Sequence, residues 1–346
     1  MNFRICLTSV LLIASLLFSA CDSREAREIK VLQFNIWQEG TVVPGGFDAL
    51  VDEVIASDAD FVTFSEVRNY NHTRFNERVV KALADKGATY YSFFSDDTGL
   101  LSRYPIKDSS VVFPLNNDHG TIHRLTTEID DQEFSVYTAH LDYLNCTYYE
   151  VFGYNGNTWK EQAPLLDVDS IIYRNNLSQR DDAIKAFVAA ADKDISAGRI
   201  VILGGDFNEP SLLDWTDVCK YERDHNGVSV EWPVSKILLD KGYRDTYREC
   251  HPNPITHPGY TYPGNCESVP VKKLSWAPKA DERERIDFIY YYPNEALTLK
   301  ASKIVGPNGS ICRNKRVAND SSDEIIPPVG IWPSDHKGVL SIFELK

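Results

Sequence analysis

Short apolar runs that stop on a polar residue recur along this chain, and they constrain its fold more than any other feature. The clearest is VILGGDFNEP, Val201 to Pro210. Val-Ile-Leu reads as a buried strand and the glycine pair as its abrupt end, with Asp206 and Asn208 following in alternate positions. On an extended backbone residues i and i+2 share a face, so both side chains look into one space. IKVLQFNIW carries Asn35, FVTFSEV is followed at its apolar part by Glu66, EFSVYTAHL ends at His140, and RIDFIYYY opens on Asp287. If those strand ends line up, their polar residues share one rim.

Amphipathic helices separate the strands. FDALVDEVIASDAD, FNERVVKALADKG and SQRDDAIKAFVAAADKDI place apolar residues at helical spacing. Gly87 stops the second, and Ser178 with Asp181 three residues on predicts the cap of the third. GLLSRYPI, SSVVFPL, LTLKASKIV and KGVLSIFEL add strands, and HRLTTEID with EFSVYTAHL predicts a hairpin across Asp130-Asp131. Helices interleaved with strands early, and hairpins throughout, predict layered α/β with mixed sheets rather than a purely parallel one. Nothing marks an internal linker, so residues 29–346 read as one catalytic domain.

The first residues, MNFRICLTSVLLIASLLFSACDS, give Arg4, an apolar run from Ile5 to Phe18, and small residues before Cys21. This is too short for a membrane span and reads as a signal over residues 1–21, followed by a short linker, 22–28. The small residues and Cys21 resemble a bacterial lipobox, which implies a lipid anchor and an exported protein on the periplasmic or cell-surface side. Plain cleavage near Ala20 is the other reading. Acids outnumber bases 50 to 36, a net charge of −14 and a poor match for tracking a polyanion. Of seven cysteines, the five beyond Cys21 lack the close pairs of a zinc site. In an exported protein Cys250 and Cys266, flanking a proline-rich loop, are the expected disulfide, among the possible pairings of Cys146, Cys219, Cys250, Cys266 and Cys312.

A carboxylate at the end of a buried strand is costly unless it is paired or metal-bound. Two such acids with two amides and two histidines suit a hard cation such as Mg²⁺ better than zinc. In that order, QFNIW, TFSEV, TAHLD, GGDFNEP, RIDFIYY and SDHKGV resemble the endonuclease/exonuclease/phosphatase superfamily, from about Ile29 to the C-terminus. The resemblance implies a four-layer α/β sandwich, two mixed β-sheets packed face to face with helices outside, and a metal-dependent phosphoester hydrolase. It implies Mg²⁺, with Mn²⁺ as a substitute, at Asn35, Glu66 and Asp335. His140 would donate to the scissile phosphate, Asp206 would activate water, Asn208 would hold a phosphoryl oxygen, and Asp287 would fix His336. Whether Asp206 or the Asp287–His336 pair is the base stays open.

Asp142 is either a ligand or the partner of a basic group, His119 and His123 read as surface or core histidines, and Arg124 is a candidate substrate contact. Leu141 to Gln162 holds Tyr143, Tyr148, Tyr149, Phe152, Tyr154 and Trp159. It is either a wall that stacks on a ring-shaped group or a long loop folded on its own aromatics. The expected substrate is a phosphodiester or phosphomonoester: a small phosphate, a lipid headgroup or extracellular nucleic acid, met by a monomer. The alternative function is a catalytically inactive surface protein that binds glycan or lipid on the same fold.

Overall fold

A computed structural model describes residues 26–117 and 119–346. The signal, Cys21 and most of the linker lie outside them. Strand β1 (Arg27–Asn35) begins two residues ahead of Ile29, followed by helix α1 (Gly46–Ser57), β2 (Phe61–Val67), α2 (Phe75–Asp85), β3 (Tyr91–Ser92) and β4 (Asp97–Ser102). The hairpin-rich middle comprises β5 (Asp108–Phe113), β6 (Gly120–Ile129) and β7 (Gln132–Leu141). Both residues of the β6–β7 turn, Asp130 and Asp131, take positive φ, 50° and 64°, as a twisted two-residue hairpin needs. Then come α3 (Thr147–Val151), α4 (Val168–Asn175), α5 (Arg180–Ser196), β8 (Ile200–Asp206), α6 (Pro233–Asp240), β9 (Arg244–Asp245) and α7 (Thr246–Cys250). The last part holds β10 (Asp287–Tyr291), β11 (Leu297–Val305), β12 (Ser310–Cys312), β13 (Lys315–Val317), β14 (Ile325–Ile326) and β15 (Gly338–Leu345).

Two mixed sheets result. One runs β14-β11-β15-β1-β2-β4-β3 and the other β5-β6-β7-β8-β10-β9. Each has a parallel pair at its centre, β1 with β2 and β7 with β8, flanked by antiparallel neighbours. Period-two alternation decides which side chains meet. Ile29, Val31 and Phe61 of one sheet pack on Phe134, Val136, Ile200 and Ile202 of the other. Leu32, Phe34, Val62 and Phe64 point outward against Leu50, Val54, Val79 and Leu83 of α1 and α2. On the opposite outside, Ile184, Phe187 and Ala191 of α5 cover Tyr137, Val201 and Leu203. The layers are therefore helix, sheet, sheet, helix. Phe187 is fully buried edge-on to Tyr137, centroids 4.8 Å apart, and truncating it to alanine should cost about 3–5 kcal/mol.

Three local expectations are corrected. The glycine pair does not end its strand: β8 continues through Gly204 and Gly205 to Asp206. A Cβ on Gly204 would sit 2.2 Å from Thr63 Oγ1, so this glycine serves the close approach of the two sheets. Ser178 sits one residue ahead of the α5 N-cap, Gln179; its hydroxyl donates to Asn175 O, closing α4, and accepts the Arg180 N–H only at 3.4 Å, while Asp142 accepts the backbone N–H of Gln179 at 3.0 Å. Cys250 and Cys266 are both free, as are the other described cysteines. Cys266 lies in the core beneath α1 and α2 and donates to Trp332 O, whereas Cys250 ends α7.

Candidate active site

Toward one end of the sandwich the inner-face residues turn from apolar to polar. Along β1, Ile29 and Val31 give way to Gln33 and Asn35, and along β7, Phe134 and Val136 give way to Thr138 and His140. Along β8, Ile200 and Ile202 lead to Gly204 and Asp206, while antiparallel β10 starts at that end with Asp287, directly opposite Asp206. Buried polar groups must be paired, and here they pair across the sheets. Gln33 Nε2 donates to Ser65 Oγ (3.2 Å) and Asp287 Oδ1 (3.3 Å), and accepts from Thr63 through Oε1 (2.6 Å). Asp206 N donates to Ser65 Oγ at 3.1 Å. His140 and Asp206, at the end of this polar layer, line a cavity of about 290 Å³.

Two histidines face Asp206 in the same way. His336 Nδ1 lies 2.9 Å from Asp287 Oδ2, and His140 Nδ1 lies 2.9 Å from Asp97 Oδ2. Their Nε2 atoms stand 3.8 and 3.9 Å from Asp206 Oδ2, too far to hydrogen-bond it. Burial disfavours both imidazolium ions, but the carboxylates outweigh it: Asp287 and Asp206 lift His336 to about 10, and Asp97, Asp206 and Glu66 lift His140 to about 9. Asn208 Nδ2 lies 3.2 Å from His140 Nε2. Burial and then the Asp287 charge push Asp206 up to about 6, against the pull of both histidines.

Glu66 reaches the site by a break in the pleat. Strict alternation would send it outward with Val62 and Phe64, but the β2–β4 register shifts between Ser65 and Val67, and Glu66 takes φ 69°. Its carboxylate accepts from Asn35 Nδ2 (3.2 Å) and Gln38 N (3.0 Å). Asn35 also acts as a brace: Nδ2 donates to Asp206 (2.8 Å) and Oδ1 accepts Trp37 N–H (2.9 Å). Asp335 lines the cavity with Oδ1 buried and unpartnered. Burial raises its pKa, His336 opposes, and Glu66 and Asp206 add to the rise. Surplus carboxylate oxygens around an unpartnered one fit a hard cation at Glu66 and Asp335. Asp206, Asp287 and His336 also offer ligand atoms within 4.8 Å of one another. Asp287, however, is already engaged by His336 and Gln33, so that group suits proton handling better.

Glu66, His140, Asp206, Asn208, Asp335 and His336 all line the cavity, and Asn35 and Asp287 hold its residues from behind. Asp97 and Arg68 were missed. Asp97, φ 60°, opens β4 and also pairs with Arg68, in a stretch (SDDTG) that reads locally as a turn. Asp142 takes the role of a partner, accepting from His119, Leu144 and Gln179. Arg124 is spent on Asp194 of α5, at 2.7 Å from both Nε and Nη2, and does not line the cavity. The aromatic segment divides: Phe152 and Tyr154 are core, whereas Tyr143 and Trp159 line the cavity.

Residues 32–336 match the Endonuclease/Exonuclease/phosphatase family. An uncharacterised protein of Caenorhabditis elegans is 25% identical over 332 residues, 90% of this chain and 90% of its own. Truncated Caenorhabditis elegans TDP2 superposes with a TM-score of 0.51 at 14% identity, over 92% of this chain and 98% of that one. The human Nocturnin catalytic domain with bound sulfate anion gives 0.51 at 15% identity, over 93% and 98%. At such identities these two speak for the fold alone. With the family match spanning nearly the whole described chain, the protein belongs to the endonuclease/exonuclease/phosphatase family, whose members are generally metal-dependent phosphoester hydrolases.

Proposed function

We propose that the protein hydrolyses phosphoesters with Mg²⁺, or Mn²⁺ in its place, outside the cytoplasm, as a phosphodiesterase or phosphatase. One observation carries the reading: Asp206 sits between two carboxylate-backed imidazoles whose Nε2 atoms are 3.8 and 3.9 Å from it. Asp206, raised to about 6, is ionised at neutral pH yet basic enough to take a proton from water. His336 and His140 present protons to phosphoryl oxygens as charge develops there, and preorganised donors of this kind act without reorganisation at the moment of reaction. Asn208, whose amide donates to Leu141 O at 3.0 Å, stands beside His140 to hold a phosphoryl oxygen. A divalent ion held by Glu66 and Asp335 would supply Lewis-acid neutralisation of the phosphate. Export and a lipid anchor at Cys21 rest on the sequence of residues 1–21.

A panel of DNA, RNA, sphingomyelin, inositol phosphates and a generic diester, assayed with Mg²⁺ and with chelator, tests this. Metal-dependent turnover of at least one class is expected, lost in Asp206→Ala. Glu66→Gln should weaken Mn²⁺ binding by tenfold or more in calorimetry. Turnover of nothing, or full activity in Asp206→Ala, refutes the reading.

A further inference from the structure

Beyond the phosphate-handling groups the cavity is walled by rings. Tyr143 and Trp159 stand 6.5 Å apart with planes within 10°, and Trp159 meets Trp276 at 4.8 Å. Trp37 and Tyr262 also line the cavity.

Both segments carrying these rings are fixed from below by buried charge. Arg180, fully buried, donates to the carbonyls of Asp142 (2.7 Å), Leu144 (2.7 Å) and Asn145 (2.8 Å), which pins the chain around Tyr143. Glu282 accepts the backbone N–H groups of Trp276 and Ala277, each at 3.0 Å, and the Tyr149 hydroxyl at 3.1 Å, tying the second segment to the first. A wall held this firmly has its ordering cost met during folding rather than on binding.

The lining also includes a polar side chain: Gln38 accepts the Tyr70 hydroxyl through Oε1 (2.7 Å), so its amide NH₂ is the group with donors to offer, and Trp159 Nε1 is buried with no partner. Gln38 is held by a left-handed turn, Trp37 to Gly40 at φ 38°, 58°, 61° and 70°, closed by Gly40 N–H to Ile36 O. Three consecutive non-glycine residues in that region are costly, about 1–2 kcal/mol each, and such strain persists where surroundings impose it. Among the described residues lining the cavity, Arg68 is the one basic side chain besides the histidines, and it is paired with Asp97. A groove that tracks a polyanion needs a run of lysine and arginine, which is absent among the described residues of this lining.

We propose that the substrate's non-phosphate part is a single ring bearing hydrogen-bond acceptors, a sugar or a nucleobase, stacked on Trp159 and Trp276 and read by Gln38. The inference rests on the phosphoester reading. Glucose phosphate and adenosine monophosphate distinguish the two sources of such a ring, glycerol phosphate is the acyclic control, and oligothymidylate is the polymer, each monophosphate also being offered as its methyl diester. With Mg²⁺, a ring-bearing probe should exceed glycerol phosphate in kcat/KM by tenfold or more. Trp276→Ala, at a half-exposed position (51%), should cut that ratio about tenfold, the size of one stacking contact. Calorimetry on Asp206→Ala with Mg²⁺ reads binding without turnover. Ring-selective binding there with no phosphoester turned over by the wild type would remove the hydrolase reading and keep the ring site. Equal handling of ring-bearing and acyclic probes in both assays, or preference for oligothymidylate, overturns the ring site and leaves the hydrolase reading standing.

Discussion

Gly204 couples the fold to the site, and its replacement gives a sharp test of that coupling. In Gly204→Ala the new methyl would lie 2.2 Å from Thr63 Oγ1 and 3.1 Å from Thr63 Cβ and Cγ2, across the space between the sheets. Neither side can give way freely: Gly204 is in the middle of a ladder between β7 and β10, and the Thr63 hydroxyl is held by Gln33 at 2.6 Å. Overpacking of this kind should cost about 2–3 kcal/mol, or roughly 3–5 °C in Tm for a domain of this size. The displaced strand also carries Asp206, whose bonds to Asn35 (2.8 Å) and Ser65 (3.1 Å) cross the same gap, so phosphoester turnover should fall with stability. Thermal unfolding of a double-mutant cycle with Thr63→Ala isolates the contact, because that change removes Oγ1 and Cγ2 at the expense of the bond to Gln33. The combined variant should recover about 1–2 kcal/mol relative to the sum of the two singles. Additivity within about 0.5 kcal/mol, or a Gly204→Ala variant as stable and as active as the wild type, would refute the account of the sheet gap.

Asp97→Asn should lower kcat by about 10²–10³-fold with a smaller change in KM, since His140 loses the carboxylate that orients and charges it. Nitrogen NMR of the imidazoles reports the same event directly, and an unchanged His140 tautomer with full activity would count against it. Stability should also respond to pH through Glu53, a buried carboxyl that accepts Val329 N–H at 2.8 Å and is raised by burial to about 7. Its folded pKa exceeds its unfolded one, so its contribution is complete at low pH and is lost as pH rises through about 7. Glu53→Gln should therefore gain about 2 °C in Tm on the wild type between pH 5 and pH 8, and equal gaps at both would contradict the assignment.

The strand-end pattern made much of this site legible. Asp206, Asp287 and His140 each sit where an apolar alternation turns polar, and period two alone put them on the inner face. The order of the blocks then supplied His336 and Asp335, which follow no strand. Local chemistry also sufficed for the Asp130-Asp131 turn, whose residues tolerate positive φ. Ser178 caps α5 only weakly: its hydroxyl accepts the Arg180 N–H at 3.4 Å, and Asp142, distant in sequence, arrives at the start of the helix to take the neighbouring Gln179 N–H at 3.0 Å.

By itself, then, the chain determined which residues could do chemistry, because side-chain type and periodicity are local properties. Only the folded molecule decided how they act. It set Glu66 toward the cavity through a bulge that strict alternation forbids, and it made Asn35 a brace by placing Trp37 N–H on its oxygen and Asp206 on its amide. It brought Asp97 to His140 across 43 positions and drew Trp276 to Trp159 from a separate segment. Those outcomes depend on distances between strands and loops far apart in the chain. Packing fixes such distances, and no stretch of sequence carries them alone.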